Sequence, residues 1–262
     1  MFSVQKINNE VVKEVPLLEP KDTRPIKGQN LFAEIFANIY CVAKKKSGKT
    51  SVEYKILKRC CGPKTKIIAF CSTLNKDPSW ATIRAWAEHK QIPFEGYTSI
   101  KDDNGVDLLD QLVQSLQEKA SIDPERVRGL LDEEEEEDDE KPSKYRSPEY
   151  VIVFDDLANE LKNSSITTLL KKNRHFRCKV ILSSQYLNDL PPAARKQLDY
   201  WILFKGHPKP KIEDIHRDAD VSISVDQFWE VYKFATQEPY SFLYIDCADG
   251  TFRRNFNTLI KV

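Results

Sequence analysis

Along the chain, short runs that are apolar at every position alternate with stretches whose apolar residues recur every three or four positions. The first pattern is that of strands covered on both faces, the second that of helices with one buried side. Strands are predicted at 39–43 (IYCVA), 66–72 (KIIAFCS), 94–99, 150–154 (YVIVF), 179–183 (KVILS) and 200–204 (YWILF). Helices are predicted at 31–36 (LFAEIF), 50–61, 78–90, 107–120 and 166–173. Gly62-Pro63 stops the second of these helices, and Asn104-Gly105 marks a turn before the fourth. In 107–120 the apolar positions 108, 109, 112, 113 and 116 form one amphipathic face. Trp80, Ile83 and Trp86 also fall at helical spacing, a stripe that reads as core packing and not as a ligand box. Toward the end come a helix at Val225–Ala235 and two strands, 241–247 and 251–256, around the turn Ala248-Asp249-Gly250. Strands alternating with helices over the first 205 residues predict an α/β fold. Its central sheet is expected to be mainly parallel, with helices on both faces and a C-terminal β-hairpin.

Two segments break the pattern. Residues 1–30 are polar and interrupted by Pro16, Pro20, Pro25 and Gly28, which predicts an extended N-terminal arm. Residues 31–262 then make one domain, interrupted at 121–148 by a polar insertion that carries Pro142, Pro148 and the run DEEEEEDDE at 132–140. Such a composition predicts a solvated, disordered segment. The chain has 40 basic and 40 acidic residues, and with the nine acids of that run set aside, 40 basic residues face 31 acidic ones. The remainder is therefore basic. No apolar run approaches the roughly 20 residues needed to cross a bilayer. The opening MFSVQKINNEVVKEV lacks the layout of a signal peptide. The six cysteines include no CxxC or CxxxC pair, which argues against a zinc site and for buried free thiols in a reducing compartment.

The candidate chemistry lies at the ends of strands. In IYCVAKKKSGKTSVEYKIL the first strand leads through Lys44, Lys45, Lys46, Ser47 and Gly48 to Lys49, Thr50 and Ser51, where a helix begins. In such a turn, loop N–H groups and a helix N-terminus converge on an anion. Lys49 would supply a point charge for β- and γ-phosphates, and the Thr50 hydroxyl would ligate Mg²⁺. Ala43 stands where GxxxxGK[ST] has its first glycine, which the turn accommodates if its φ stays negative. A basic surface turn is the plainer alternative. In YVIVFDDL, Asp155 and Asp156 close a buried strand at the edge where α/β sheets place ligands. One carboxylate would hold Mg²⁺ and the other would activate a water, the alternative being a strand followed by a helix cap. In KVILSSQYL another strand ends in Ser183, Ser184 and Gln185, whose amide would sense a γ-phosphate in an ATPase with an inserted strand. For an arginine that reaches a neighbouring subunit's phosphate, Arg174 is the first candidate and Arg195 the second. Lys171, Lys172, Arg174, His175 and Arg177 form a basic cluster compatible with DNA.

Five blocks stand in order: NIYCVAKKKSGKT, FCSTLNKDPSW, YVIVFDDL, LLKKNRHFRCKVILSSQYLNDLPPAAR and YSFLYIDCADGTFRRNF. With them the chain resembles, over about residues 28–260, the viral DNA-packaging ATPases of the FtsK/HerA superfamily, in the poxvirus-type branch. The resemblance implies a P-loop NTPase fold of the inserted-strand type. It implies an ATP-driven motor that moves double-stranded DNA into a preformed capsid, as a homo-oligomeric ring beside capsid or vertex proteins. ATP and Mg²⁺ would be its cofactors, and the virion or the host-cell virus factory its place. By motif match, Lys49 and Thr50 would bind phosphate and Mg²⁺, Asp155 would hold Mg²⁺, Asp156 would act as base and Gln185 as sensor. A HerA-like helicase or pump, and a nucleotide-binding vertex scaffold with little hydrolysis, are the alternatives. The acidic run acquires a sharper reading, that of an anionic segment competing with nucleic acid for the basic surface. Deleting 132–140 is expected to tighten DNA binding at low salt, measured as affinity against ionic strength. Unchanged affinity and salt slope would exclude that reading.

Overall fold

The fully apolar runs become strands of a single sheet. The computed structural model describes residues 22–120 and 143–262, so most of the expected arm and the acidic run lie outside the described residues. Pro25–Ser121 and Ser143–Val262 form one compact unit, and the other unit lies almost wholly outside the described residues. The strands are β1 (Asn38–Val42), β2 (Lys66–Cys71), β3 (Phe94–Tyr97), β4 (Tyr150–Asp155), β5 (Cys178–Ser184), β6 (Tyr200–Phe204), β7 (Phe242–Asp246), β8 (Thr251–Arg254) and β9 (Thr258–Ile260). Their order across the sheet is β3-β2-β4-β5-β1-β6-β7-β8-β9. Strands β1 to β6 pair in parallel, and β7, β8 and β9 continue the sheet antiparallel. Strand β5 stands between β1 and β4, the inserted-strand arrangement.

Alternate residues of each strand enter opposite cores, which is why both faces of the sequence pattern are apolar. One core takes Ile39, Cys41 and Ala43 and is covered by α1 (Lys49–Cys60) and α2 (Pro78–His89), through residues such as Ile56, Trp80 and Ile83. The other takes Tyr40 and Val42 and is covered by α3 (Leu108–Ala120) and α4 (Ser164–Lys172), through residues such as Val113 and Leu169. Three further helices are the single turn α5 (Pro192–Arg195), α6 (Lys209–Asp218) and α7 (Val225–Ala235). Of these, α6 and α7 bury Ile212, Ile215 and Phe228 in the second core.

Three elements differ from the sequence reading. The predicted helix at 31–36 does not form. Its backbone is taken by partners in the sheet: the buried Lys179 ammonium donates to the Glu34 carbonyl at 2.9 Å, and the Ala33 N–H donates to the Tyr200 hydroxyl at 3.1 Å. Tyr200 in turn donates to the Glu34 carboxylate. Helix α6 was hidden by its prolines, Pro208 and Pro210, which sit at and just inside its N-terminus where a missing N–H costs nothing. Strand β9 is short and largely exposed, and carries no apolar pattern to announce it.

The parallel register brings the C-terminal strand ends level. Val42 lies opposite Ser184, Ser183 opposite Asp155, and Asp155 opposite Cys71. The phosphate loop, the acidic pair and Gln185 all follow strand ends on this edge.

Candidate active site

The turn after β1 and the first turn of α1 build the floor of a cavity of about 500 Å³. Gly48 precedes the helix at φ 94, and no acidic residue or side-chain cap occupies the first turn, so the helix N-terminus is left open to an anion. Ala43 is absent from the positive-φ positions; the left-handed residue of the loop other than Gly48 is Lys46, at φ 64. Alanine is thus accommodated where the motif has glycine, and the strain falls on a lysine. Ser47 closes the loop by donating to the Lys44 carbonyl at 2.7 Å. Lys44, Lys45, Lys46, Ser47, Gly48, Lys49, Thr50 and Ser51 all line the cavity, as do Asp155, Asp156 and Gln185.

Asp155 is the hub. It is 2 % exposed at the end of β4. Lys49 Nζ lies 2.6 Å from its Oδ1. Ser183 donates to the same oxygen at 2.7 Å, and the Trp80 indole N–H donates to Oδ2 at 3.0 Å. Burial by itself would draw the Lys49 pKa down, but Asp155, Glu53 and Asp156 outweigh it, and the ammonium is held above its usual value. Asp156 takes a left-handed φ of 54, and its Oδ1 accepts from Gln185 Nε2 at 2.8 Å. A non-glycine residue in that region marks strain stored at a site. Asp156 also has its backbone carbonyl held by Ser72, at 2.9 Å.

No protein-family profile matches the sequence. Protein 075L of Invertebrate iridescent virus 6, itself uncharacterized, is 28% identical over 124 residues, 44% of this chain and 48% of that protein. The match therefore spans about half the length of that relative. Among solved structures, the genome packaging NTPase B204 from Sulfolobus turreted icosahedral virus 2, in complex with AMP, is 20% identical. It superposes with a TM-score of 0.54, over 84% of this chain and 97% of its own. B204, the DNA-packaging ATPase from Sulfolobus Turreted Icosahedral Virus, is 18% identical with a TM-score of 0.53, over 83% of this chain and 96% of its own. The chain shares the fold of a viral genome packaging NTPase. That is the fold expected from the sequence blocks.

On this packaging-NTPase fold the two candidate arginines part company from the cavity. Arg195 is 7 % exposed, pairs with Asp218 at 2.7 Å and donates to the carbonyls of Leu187 and Leu190. Locked there, it is not free to reach a neighbouring subunit, which corrects its candidacy. Arg174 precedes β5, beside Asp199 at the start of β6, at the sheet edge opposite the cavity. It is exposed and loosely paired, 3.7 Å from Asp199. Of the basic cluster around it, Arg177 is paired with Glu149 at 2.7 Å and Lys172 donates to Gln117 at 3.1 Å.

Sequence reasoning missed several members of the site. Thr73, Lys76 and Asp77, from the turn between β2 and α2, and Ser79, in the first turn of α2, line the cavity. Their signal was present, since FCSTLNKDPSW follows a strand that neighbours β4. Trp80 is core, as read, and also holds Asp155. Glu53, one turn beyond Lys49 on α1, is fully buried, with both oxygens lacking a hydrogen-bond partner.

Among the described residues no group of three or more His, Cys, Asp or Glu side chains could hold a metal. Thr50, Asp155 and Asp156 offer one hydroxyl and two carboxylates at one cavity. That sparse donor set suits Mg²⁺, which completes its shell with phosphates and water. The Lys49 ammonium stands against Asp155 as such a cation would.

Burial pushes the Glu53 carboxyl up to about 8, with Asp155 adding to the effect and Lys49 opposing it. An unfolded glutamate titrates near 4.3. Between those values the unfolded chain is ionised while the folded chain keeps its proton. Folding then takes up a proton, and stability falls as pH rises through that window. Urea unfolding of the nucleotide-free chain is expected to show this loss from pH 5 to pH 8, and Glu53→Gln is expected to flatten it. Equal slopes for the two proteins would contradict the burial of a proton there.

Proposed function

We propose that the chain is an ATP-driven translocase that packages double-stranded viral DNA into a preformed capsid. The observation that carries the ATPase part is the meeting of Lys49, Thr50, Asp155, Asp156 and Gln185 in one cavity at the C-terminal edge of a parallel sheet. The packaging part is supported by the shared fold and by the sequence blocks around Asp77-Pro78 and Arg174-His175. Among the described residues no helix is long and apolar enough to cross a membrane.

In this reading the open amides of the Lys44–Ser51 loop and the α1 N-terminus hold the triphosphate. Lys49 leaves Asp155 and places its charge on the β- and γ-phosphates. Thr50 and Asp155 hold the Mg²⁺, which when bound spreads the charge that develops on the phosphates. Asp156 takes the proton of the attacking water. Gln185 already donates to Asp156, so a γ-phosphate that draws on the same amide would couple occupancy to release of the base. Arg174 would serve in trans, on the phosphate of a neighbouring copy in a ring.

The test is ATP hydrolysis with and without double-stranded DNA, together with the oligomeric state in ATP. Stimulation by DNA and a ring are expected; a monomer with no stimulation would contradict a motor. Lys49→Ala should weaken both nucleotide binding and hydrolysis. Asp156→Asn should leave ATP binding intact and lower turnover by about a hundredfold or more.

A further inference from the structure

A phosphate loop binds an anion best when its amides are held in place before the anion arrives. This loop stores strain, with Lys46 at φ 64 and Gly48 at φ 94. A strained backbone of that kind persists only where the surrounding structure fixes both ends. The far end is fixed by α1, whose Val52, Ile56 and Leu57 are buried in the core. The near end is the root of the loop, Val42 and Ala43, and it is gripped from both neighbouring strands. On the β5 side the Ser184 carbonyl accepts the Ala43 N–H at 3.0 Å. On the β6 side the His207 imidazole, in the turn before α6, meets the Val42 carbonyl with Nε2 at 3.2 Å.

The chemistry proposed above makes no use of this turn, yet its geometry is closely set. Gly206 takes φ 113, a conformation open to glycine. The stem of Lys44 lies along its backbone: a β-carbon on Gly206 would stand 3.0 Å from Lys44 Cδ and Cε and 3.2 Å from Nζ. The His207 backbone N–H donates to the Tyr232 hydroxyl at 3.0 Å, and that hydroxyl donates to the Phe204 carbonyl at 2.9 Å. Tyr232 is buried on α7. The half-buried imidazole is therefore anchored through its own backbone to α7 and β6, and it directs Nε2 at the root of the loop. A carbonyl only accepts, so Nε2 carries the ring's proton. Burial holds the His207 pKa below its ordinary value, against the pull of the Val42 bond and with Lys44 adding to the lowering. The ring is then neutral at pH 7 and adds no charge to the lysines of the loop.

We infer that His207 is a positioning residue of the phosphate loop. Its Nε2–H fixes the Val42 carbonyl while the Gly206 backbone carries the stem of Lys44, so the turn between β6 and α6 sets the loop for a polyphosphate. His207 does not line the cavity and acts through the loop. A loop set in advance lowers the ordering that binding would otherwise cost, so the effect falls on affinity and not on turnover of bound nucleotide. The inference rests on the nucleotide reading above and extends it to a segment that carries no nucleotide motif.

Calorimetric titration of ATP and of inorganic tripolyphosphate into the full chain and its variants, with kcat for ATP at saturation, tests this role. His207→Ala is expected to lose about tenfold in affinity for both ligands, the effect of one lost hydrogen bond to a backbone carbonyl. Its kcat should stay within about twofold of wild type. His207→Gln, whose amide nitrogen can take the place of Nε2, should keep both affinities within about threefold. His207→Asn, whose amide falls short of the carbonyl, should behave as the alanine variant does and serves if that variant does not fold. Tyr244→Phe removes a hydrogen bond to another carbonyl, that of Leu31, and should lower stability with both affinities unchanged. Unchanged affinities in His207→Ala, equal losses in His207→Ala and His207→Gln, or a loss as large in Tyr244→Phe, would overturn the inference while wild-type binding leaves the nucleotide reading standing. A wild-type chain that binds neither ligand would overturn both.

Discussion

The buried ion pair between Lys49 and Asp155 is the contact around which the functional edge of the molecule is arranged. A carboxylate almost withdrawn from water is costly unless its oxygens are satisfied and a cation is near. Here Ser183 from β5, Trp80 from α2 and Lys49 from α1 converge on it. Removing one partner of such a pair typically costs ~3–5 kcal/mol, because the other charge is left buried and alone. The pair and its partners therefore tie together four elements, α1, α2, β4 and β5. They also tie the phosphate loop to the strand that carries the second acidic residue.

The same arrangement makes the site exchangeable. Lys49 is bound to the carboxylate that the proposed chemistry needs for a divalent cation, and it is the side chain that the phosphates need. Asp155, with Thr50, would hold a divalent cation beside the phosphates once Lys49 has turned from it, and the cation would supply countercharge there. Gln185 and Asp156 form a parallel pair one residue further out, so the two acids are held by different partners and remain suited to different tasks.

Most of the fold was legible because parallel strands buried on both faces are apolar at every position, and each such run became a strand. The phosphate loop, Asp155, Asp156 and Gln185 were legible because their residue types sit at strand ends, where a sheet of this kind places ligands. What escaped had physical reasons. The segment 31–36 has helical periodicity, yet its polar backbone is claimed by Lys179 and Tyr200, partners remote in sequence. Helix α6 carries no uninterrupted periodic pattern because Pro208 and Pro210 stand at its start. Arg195 looked like a free cation after a double proline, and only the fold reveals Asp218 beside it. Trp80 shows the limit of pattern reading most clearly: the periodicity identifies a buried face, but not that one edge of that indole donates to the central carboxylate.

The central claim is that Asp155, paired here with Lys49, is the carboxylate that would hold a divalent cation beside a bound nucleotide. Equilibrium binding of ATP to the wild-type chain and to Asp155→Asn, each with and without Mg²⁺, tests it most directly. Magnesium is predicted to tighten ATP binding to the wild type and to have little effect on the variant. The same magnesium dependence in both proteins, or none in the wild type, would contradict the account.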